Sequence, residues 1–259
     1  MAAKKIEFSA KNVKAFSAWL KKFASIDTAL LLEVDEIEST FLAKTYNEER
    51  SVVKFSKIKF EAAGFTVKPS KDPKRVKVGI YNISRLMKIM DQFEDGEFSF
   101  TVNYDEISGD TTEWAGLSLL LKNKDLKMNV ECTSLNIFKY IADELFTGTI
   151  ASLDSTVATF DLSEDIISKT NSLCSLDNED KFIEFKKASN IYVAGKTFEL
   201  LVENINEDWD GKEESINVFK EQFISVDSED YNVKMGDDRL VFTSVDGNTM
   251  TVISMVEKD

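Results

Sequence analysis

The side chains available for chemistry in this sequence are carboxylates, lysines and two thiols, because it contains no histidine. That removes the commonest general base and metal ligand, and with them every Ser–His or Cys–His nucleophile arrangement. Cys132 and Cys174 are the only cysteines, too few for a disulfide framework or a zinc ribbon, and free thiols suit a reducing compartment. Three clusters invite a binding-site reading, and each fails on spacing or context. Gly195-Lys196-Thr197 resembles the end of a phosphate loop, but Asn190 replaces the earlier glycine and the segment joins two strands, so a hairpin turn is expected. Asn206, Asp208, Asp210 and Gly211 resemble the start of a calcium loop, yet Asn217 stands where a bidentate Glu is needed. Asp227, Glu229, Asp230, Asp237 and Asp238 could be drawn as a two-metal site, but they crowd onto turns between strands and read as solvated. No catalytic residue, metal or cofactor is assigned.

The lysines are distributed unevenly. The 259 residues carry 32 Lys and Arg against 46 Asp and Glu, a formal charge of −14, which by itself argues against a nucleic-acid binder. Residues 1–100, however, hold 18 basic and 14 acidic side chains, a net of +4, and the remainder holds −18. The first 24 residues set Lys4, Lys5, Lys11, Lys14, Lys21 and Lys22 against Glu7 alone. Such a gradient calls for a spatial explanation.

The elements that position these cations are short helices among many strands. Lys11–Phe23 fits a helix: at about 100° per residue, Val13, Phe16, Leu20 and Phe23 fall within roughly 80°, and Lys11, Lys14, Lys21 and Lys22 within roughly 100° on the opposite side. Asn82–Asp91 repeats the arrangement, with Asn82 as N-cap, Ile83, Leu86, Met87 and Met90 as the apolar stripe, and Arg85 and Lys88 pointing away. Strands are expected at Thr28–Asp35, Ile37–Tyr46, Arg50–Ile58, Val78–Tyr81, Glu97–Tyr104, Leu117–Leu121 and Leu126–Cys132. Pro69 and Pro73 mark a basic loop between strands.

The second half restates this order. A strand at Val157–Leu162 leads into a helix capped by Ser163, whose Glu164 and Asp165 suit a helix start. Strands follow at Lys181–Lys187, Asn190–Ala194 and Thr197–Glu203, then a short helix at Ser215–Phe223. Strands at Tyr231–Met235, Arg239–Val245 and Thr249–Val256 close the chain, with a hairpin turn at Asp246-Gly247-Asn248. The order strand, helix, three strands, helix, three strands thus occurs twice. The fold class is α+β, two similar domains of antiparallel sheets, each with two short helices on one face. Residues 1–132 form the first domain, 133–155 an apolar connector and 156–259 the second domain. No window approaches the roughly 18 apolar residues of a membrane helix, and the N-terminus lacks an apolar signal region, so a soluble intracellular protein with no membrane partner is expected.

Phe16–Ile26 running into a strand, Val78–Met90 running into an acidic turn, and the closing strand Thr251–Asp259, in this order, resemble the sliding clamp of T-even-type phages, the processivity subunit of their DNA polymerase. The architecture is similar to that of proliferating cell nuclear antigen. The resemblance is most specific over residues 10–105 and rests on element order elsewhere. It implies a homotrimeric ring of two-domain subunits in the host cytoplasm, with helices lining a channel for double-stranded DNA. The replicative DNA polymerase is tethered to it, and a separate clamp loader opens and closes it. Lys11, Lys14, Lys21, Lys22, Arg85 and Lys88 would then meet phosphates without reading bases, joined in the second domain by Lys169 and Lys220 alone.

The resemblance further implies that subunits join by edge strands, Leu126–Cys132 of one and Thr197–Glu203 of the next. Leu126, Met128, Val130, Phe198, Leu200 and Val202 become the interface residues. Polymerase and loader tails would dock on Tyr46, Phe138, Ile141, Phe146 and Val252. The residues at 105–116 and in the connector have no counterpart in the family pattern. Apart from the resemblance, lysine faces on amphipathic helices are ordinarily solvated surface. The alternative is then a non-enzymatic viral structural or assembly β-protein.

Overall fold

The computed structural model describes residues 4–11, 13–93, 97–107, 110–141, 151–176, 181–205 and 211–256. The chain divides into two compact units, the first formed by Met1–Thr45 with Phe55–Glu144, the second by Tyr46–Lys54 with Leu145–Asp259. This differs from the expected cuts at 132 and 155, because a nine-residue segment inside the first half belongs with the second unit. The tie is polar and partly buried: Gln222 Nε2 donates to Ser51 Oγ at 2.8 Å, Ser254 N donates to the Ser51 carbonyl, and Lys54 reaches Asp227.

The first unit begins with β1 (Lys4–Ala10), α1 (Lys14–Ala24), β2 (Leu30–Asp35), β3 (Thr40–Tyr46) and β4 (Val52–Lys59). It continues with β5 (Phe65–Val67), β6 (Arg75–Ile80), α2 (Ile83–Asp91), β7 (Phe98–Ile107), β8 (Asp110–Lys122), β9 (Lys127–Glu131) and a 3-10 turn at Leu135–Phe138. Its strands lie in the order β4-β3-β2-β6-β8-β7-β1-β5, with β9 on β8. The pairings of β1 with β5 and β7, of β2 with β3 and β6, and of β8 with β7 and β9 are antiparallel, whereas β6 and β8 run parallel, with Val76 opposite Trp114, so the expectation of wholly antiparallel sheets needs that correction. Residues 105–107 and 110–116, set aside in the sequence as an insertion, are the far arms of the β7–β8 hairpin, pairing Asp105 with Ala115 and Glu106 with Trp114.

One face of this sheet alternates toward the two helices. Ile6, Phe8 and Ala10 of β1 and Phe98, Phe100 and Val102 of β7 bury there together with Phe16, Leu20 and Phe23 of α1. The centre is aromatic: Phe41 lies 4.6 Å from Phe60 and 4.8 Å from Phe16 between ring centroids, in tilted arrangements that suit the ring quadrupoles.

The second unit comprises β10 (Ala158–Leu162), α3 (Glu164–Leu176), β11 (Phe182–Lys187), β12 (Asn190–Ala194), β13 (Glu199–Asn204), β14 (Glu214–Phe219), α4 (Lys220–Phe223), β15 (Tyr231–Met235), β16 (Arg239–Ser244) and β17 (Thr249–Ser254). It holds a four-stranded sheet, β13-β12-β11-β14, and the path β10-β15-β16-β17. Ile167 of α3 and Phe223 of α4 share a core with Phe160, Phe185, Tyr231 and Phe242. The helix expected over Ser215–Phe223 is instead a strand ending in one helical turn. Ile216 and Val218 alternate with exposed or half-buried neighbours at period two, and Ile216 pairs with Phe185. Five strands separate the helices of the first unit and four those of the second, against the four and three ranges expected there, and β5 and β14 are the additions.

Candidate nucleic-acid interface

α1 and α2 pack side by side on the first unit. Their apolar stripes set their orientation, and those stripes are wider than the sequence suggested. Trp19 joins Phe16, Leu20 and Phe23 in the core, its Nε1 donating to Ser56 Oγ at 3.0 Å. On α2 the buried set is Ile83, Leu86, Ile89 and Met90, with Met87 only half-buried. Asn82 caps α2, its side chain accepting from Arg85 N at 2.7 Å. Fixed in this way, the helices turn Lys14, Ala15, Ala18 and Lys21 of α1 and Ser84, Arg85 and Lys88 of α2 to solvent, with Lys22 half-buried. Lys11 is exposed but precedes the helix, whose N-cap is Val13.

No acidic residue occurs in α1, and Asp91 at the end of α2 is the one carboxylate of that helix. Lys21 and Lys22 in the last turn of α1 and Lys88 in that of α2 also complement the helix dipoles. Small residues lie between the cations, so Ala15, Ala18 and Ser84 leave a polyanion's approach unobstructed. The result is a cationic face with long flexible side chains and no rigid reading group.

The second unit is different. The solvent face of α3 carries Glu164, Asp165, Ser168, Lys169, Ser172 and Ser175, and Lys169 is held by Asp165 at 2.6 Å. Lys220 is half-buried at the start of the four-residue α4, with exposed Glu221 beside it.

Among the described residues, β9 pairs only with β8 and β13 only with β12, so each presents an edge of unpaired backbone. Leu126, Met128 and Val130 lean into the first unit's core, while Lys127, Asn129 and Glu131 are exposed. On β13, Leu200 and Val202 are half-buried and Glu199, Leu201 and Glu203 exposed, with Leu201 at 52%. Phe198 precedes this strand, its carbonyl accepting from Gly195 N at 3.0 Å to close the hairpin turn between β12 and β13.

The candidate docking residues scatter. Phe138 and Ile141 are buried in the first unit at 2% and 0% exposure, and Val252 is buried in the second at 5%. All three are core residues of their own units. Gly79 explains the burial of Phe138: a side chain on Gly79 would lie 3.1 Å from the Phe138 ring and 2.5 Å from the Thr133 carbonyl. Tyr46 is half-buried, and Phe146 lies outside the described residues.

The clustered carboxylates of the second unit are engaged one by one. Asp227 pairs with Lys54, Glu229 accepts from the Tyr231 hydroxyl, Asp230 accepts from Glu164 N, and Ser155 donates to Asp237. The Arg239 guanidinium beside Asp238 holds its carboxyl below the usual range. Burial, then the charges of Asp227 and Glu229, push the Tyr231 hydroxyl pKa upward. Among the described residues no three His, Cys, Asp or Glu side chains are grouped to hold a metal, and no helix is long and apolar enough to cross a membrane. Asn206, Asp208 and Asp210 lie outside the described residues.

No protein-family model matches the chain, and no curated protein matches it in sequence. Solved structures do match in fold. The DNA polymerase III beta subunit of Eubacterium rectale superposes on 97% of this chain with a TM-score of 0.64 at 12% identity, and the chain spans 66% of that subunit. The Helicobacter pylori beta clamp bound to a DNA ligase peptide gives 0.64 at 11% identity over 100% of this chain and 67% of its own. A. fulgidus PCNA bound to the C-terminal region of FEN-1 gives 0.61 at 11% identity over 98% of this chain and 100% of its own. The chain thus spans about two thirds of the bacterial subunits and the whole of the archaeal one. From its first strand to its last, it has the DNA clamp fold.

Proposed function

We propose that the protein is a DNA polymerase sliding clamp, a processivity factor that encircles duplex DNA without sequence specificity and catalyses no reaction itself. The observation that carries the reading is the cationic face of α1 and α2, carboxylate-free along α1, in a chain of formal charge −14 with the clamp fold. Lys14, Lys21, Lys22, Arg85 and Lys88, with Lys11 ahead of the helix, would contact phosphates. Acidic surface elsewhere would repel DNA and leave this face as the favoured one. Enclosure makes tight binding unnecessary, and hydrated lysines on a face of small residues would let the duplex slide.

The chain covers the whole of the archaeal PCNA subunit, and the resemblance to phage clamps implies three copies joined head to tail. The free edges of β9 and β13 are the surfaces proposed to join them, with Leu126, Met128, Val130, Phe198, Leu200 and Val202 flanking the joint. The H. pylori clamp carries a DNA ligase peptide and the archaeal one the C-terminal region of FEN-1. By that analogy this chain would take tails of a replicative polymerase and a clamp loader, with Tyr46 the remaining candidate contact of known exposure. A phage origin and a place in the host cytoplasm follow from the resemblance to phage clamps.

The test is primer extension on a long circular template with the cognate polymerase and loader, with and without this protein. Longer products per binding event support the proposal, and unchanged product length refutes it.

A further inference from the structure

A cavity of about 760 Å³ opens on the second unit beside β13. Ile166, Val202 and Val245 line it, the last 76% exposed, and its charged residues are Asp161, Asp230 and Lys234. Glu203 of β13 accepts from Asp161 N at 3.3 Å, which brings a third carboxylate to the rim. Asp161 accepts from Asn232 Nδ2 at 3.2 Å and Asp230 from Glu164 N at 2.8 Å, so both are held in place. The three carboxylates are exposed, and among the described residues no lysine or arginine pairs with them.

The edge strand of the first unit carries the opposite charge at one end. In the turn from β8 into β9, Lys122, Lys124 and Lys127 are exposed against Asp125 alone, and among the described residues none of these lysines has an ion-pair partner. Asn123 fixes the turn, its side chain accepting from Asp125 N at 3.0 Å and Leu126 N at 2.7 Å. β9 then finishes on exposed Glu131. Charge therefore runs from basic to acidic along β9. Along β13 it runs from Lys196 in the preceding turn, past Glu199, to Glu203 and the cavity. Two such edges laid in opposite directions bring the basic turn to the cavity and Glu131 toward Lys196. Laid in the same direction, they set Glu131 against the carboxylates and the basic turn against Lys196, and like charges opposed in this way select against a pairing. We infer that the cavity receives the basic β8–β9 turn of a second copy of the chain, Lys124 and Lys127 seating against Asp161, Asp230 and Glu203. The inference rests on the proposed joint between β9 and β13 and adds to it a seat beyond the strand edges. Exposed charges make that seat sensitive to salt.

The test is the dissociation constant between subunits of the full chain, from light scattering over a concentration series at low salt. Lys124→Glu with Lys127→Glu is expected to raise it about tenfold or more, and Asp161→Lys with Glu203→Lys to do the same. A chain carrying all four substitutions again opposes unlike charges, and it is expected to assemble within about threefold of the parent. That recovery also shows that the reversed chains fold. If either reversed pair assembles like the parent while Leu201→Lys breaks the assembly, the seat is overturned and the joint stands. If both pairs weaken assembly but the fourfold variant does not recover, the seat is overturned as well. Parental assembly of Leu201→Lys and of both reversed pairs overturns the β9–β13 joint itself.

Discussion

Lys54 Nζ lies 2.7 Å from Asp227 Oδ1 and donates to the Ser225 carbonyl at 2.8 Å, with its side chain wholly buried. The two partners are 173 residues apart in sequence. Breaking such a pair on one side strands a charge away from water, which costs more than the pair itself contributes. Lys54→Met is expected to destabilise the second unit by about 3–5 kcal/mol in urea denaturation. Adding Asp227→Asn is expected to recover part of that loss. A double variant that loses the full sum of the single effects would contradict this.

The cationic face makes a prediction in salt. Replacing Lys14, Lys21 and Arg85 by Glu is expected to abolish retention on DNA and processive extension while circular dichroism and the unfolding midpoint stay unchanged. For binding to linear duplex, the slope of log affinity against log salt should fall by about 0.9 for each phosphate contact removed. Parental processivity in the triple variant would remove these helices from the DNA face.

Assembly through the edges of β9 and β13 has a simple readout. Light scattering at micromolar concentration is expected to give three times the subunit mass of 29.3 kDa. Leu201, 52% exposed on the β13 edge between Glu199 and Glu203, should tolerate Leu201→Lys in the folded monomer yet shift the mass toward one subunit. A parental mass for that variant would place the joint elsewhere.

Alkaline stability should be limited by two weak acids, the buried Tyr231 and the half-buried Cys132. Burial raises the Cys132 thiol from 9.0 to about 12, and the Tyr231 hydroxyl is also pushed up, by burial and by Asp227 and Glu229. Both groups stay protonated when folded but ionise more readily when unfolded. Their contribution is therefore complete below about pH 9 and is lost as pH rises toward 12. By pH 10.5 the Cys132 share of that loss is about 2 kcal/mol. Denaturant midpoints measured from pH 8 to 10.5 should fall, and less steeply in Cys132→Ala. The same protonation makes Cys132 slow toward alkylating agents at pH 8 until the chain unfolds.

Elements whose signal is local were legible in the sequence. α2 carries its cap and its stripe within ten residues, and the turn Asp246-Gly247-Asn248 joins β16 to β17 with Gly247 at φ +70°. β1 was passed over because its lysines were weighed as charge, although Ile6, Phe8 and Ala10 alternate inward. Over Ser215–Phe223 the spacing of Ile216, Phe219 and Phe223 is compatible with a helix and that of Ile216 and Val218 with a strand, and pairing with β11 decides between the two periods. In the candidate site, the lysine faces followed from periodicity. The burial of Phe138 and Ile141 did not, since it depends on the close approach of Thr133 to Gly79, 54 positions earlier in the chain.

The edges of β9 and β13 belong to different strands, so a joint between them would be heterologous: each subunit would offer a donor edge and an acceptor edge that are not copies of one another. A subunit blocked at β13 alone keeps a working β9. In a mixture with intact chains it would enter an assembly and leave it open. Because a closed circle of three needs every joint, a minority of such subunits would poison most circles. Lesions on a single edge strand would therefore act dominantly, whereas lesions that unfold the subunit would be silent beside an intact copy.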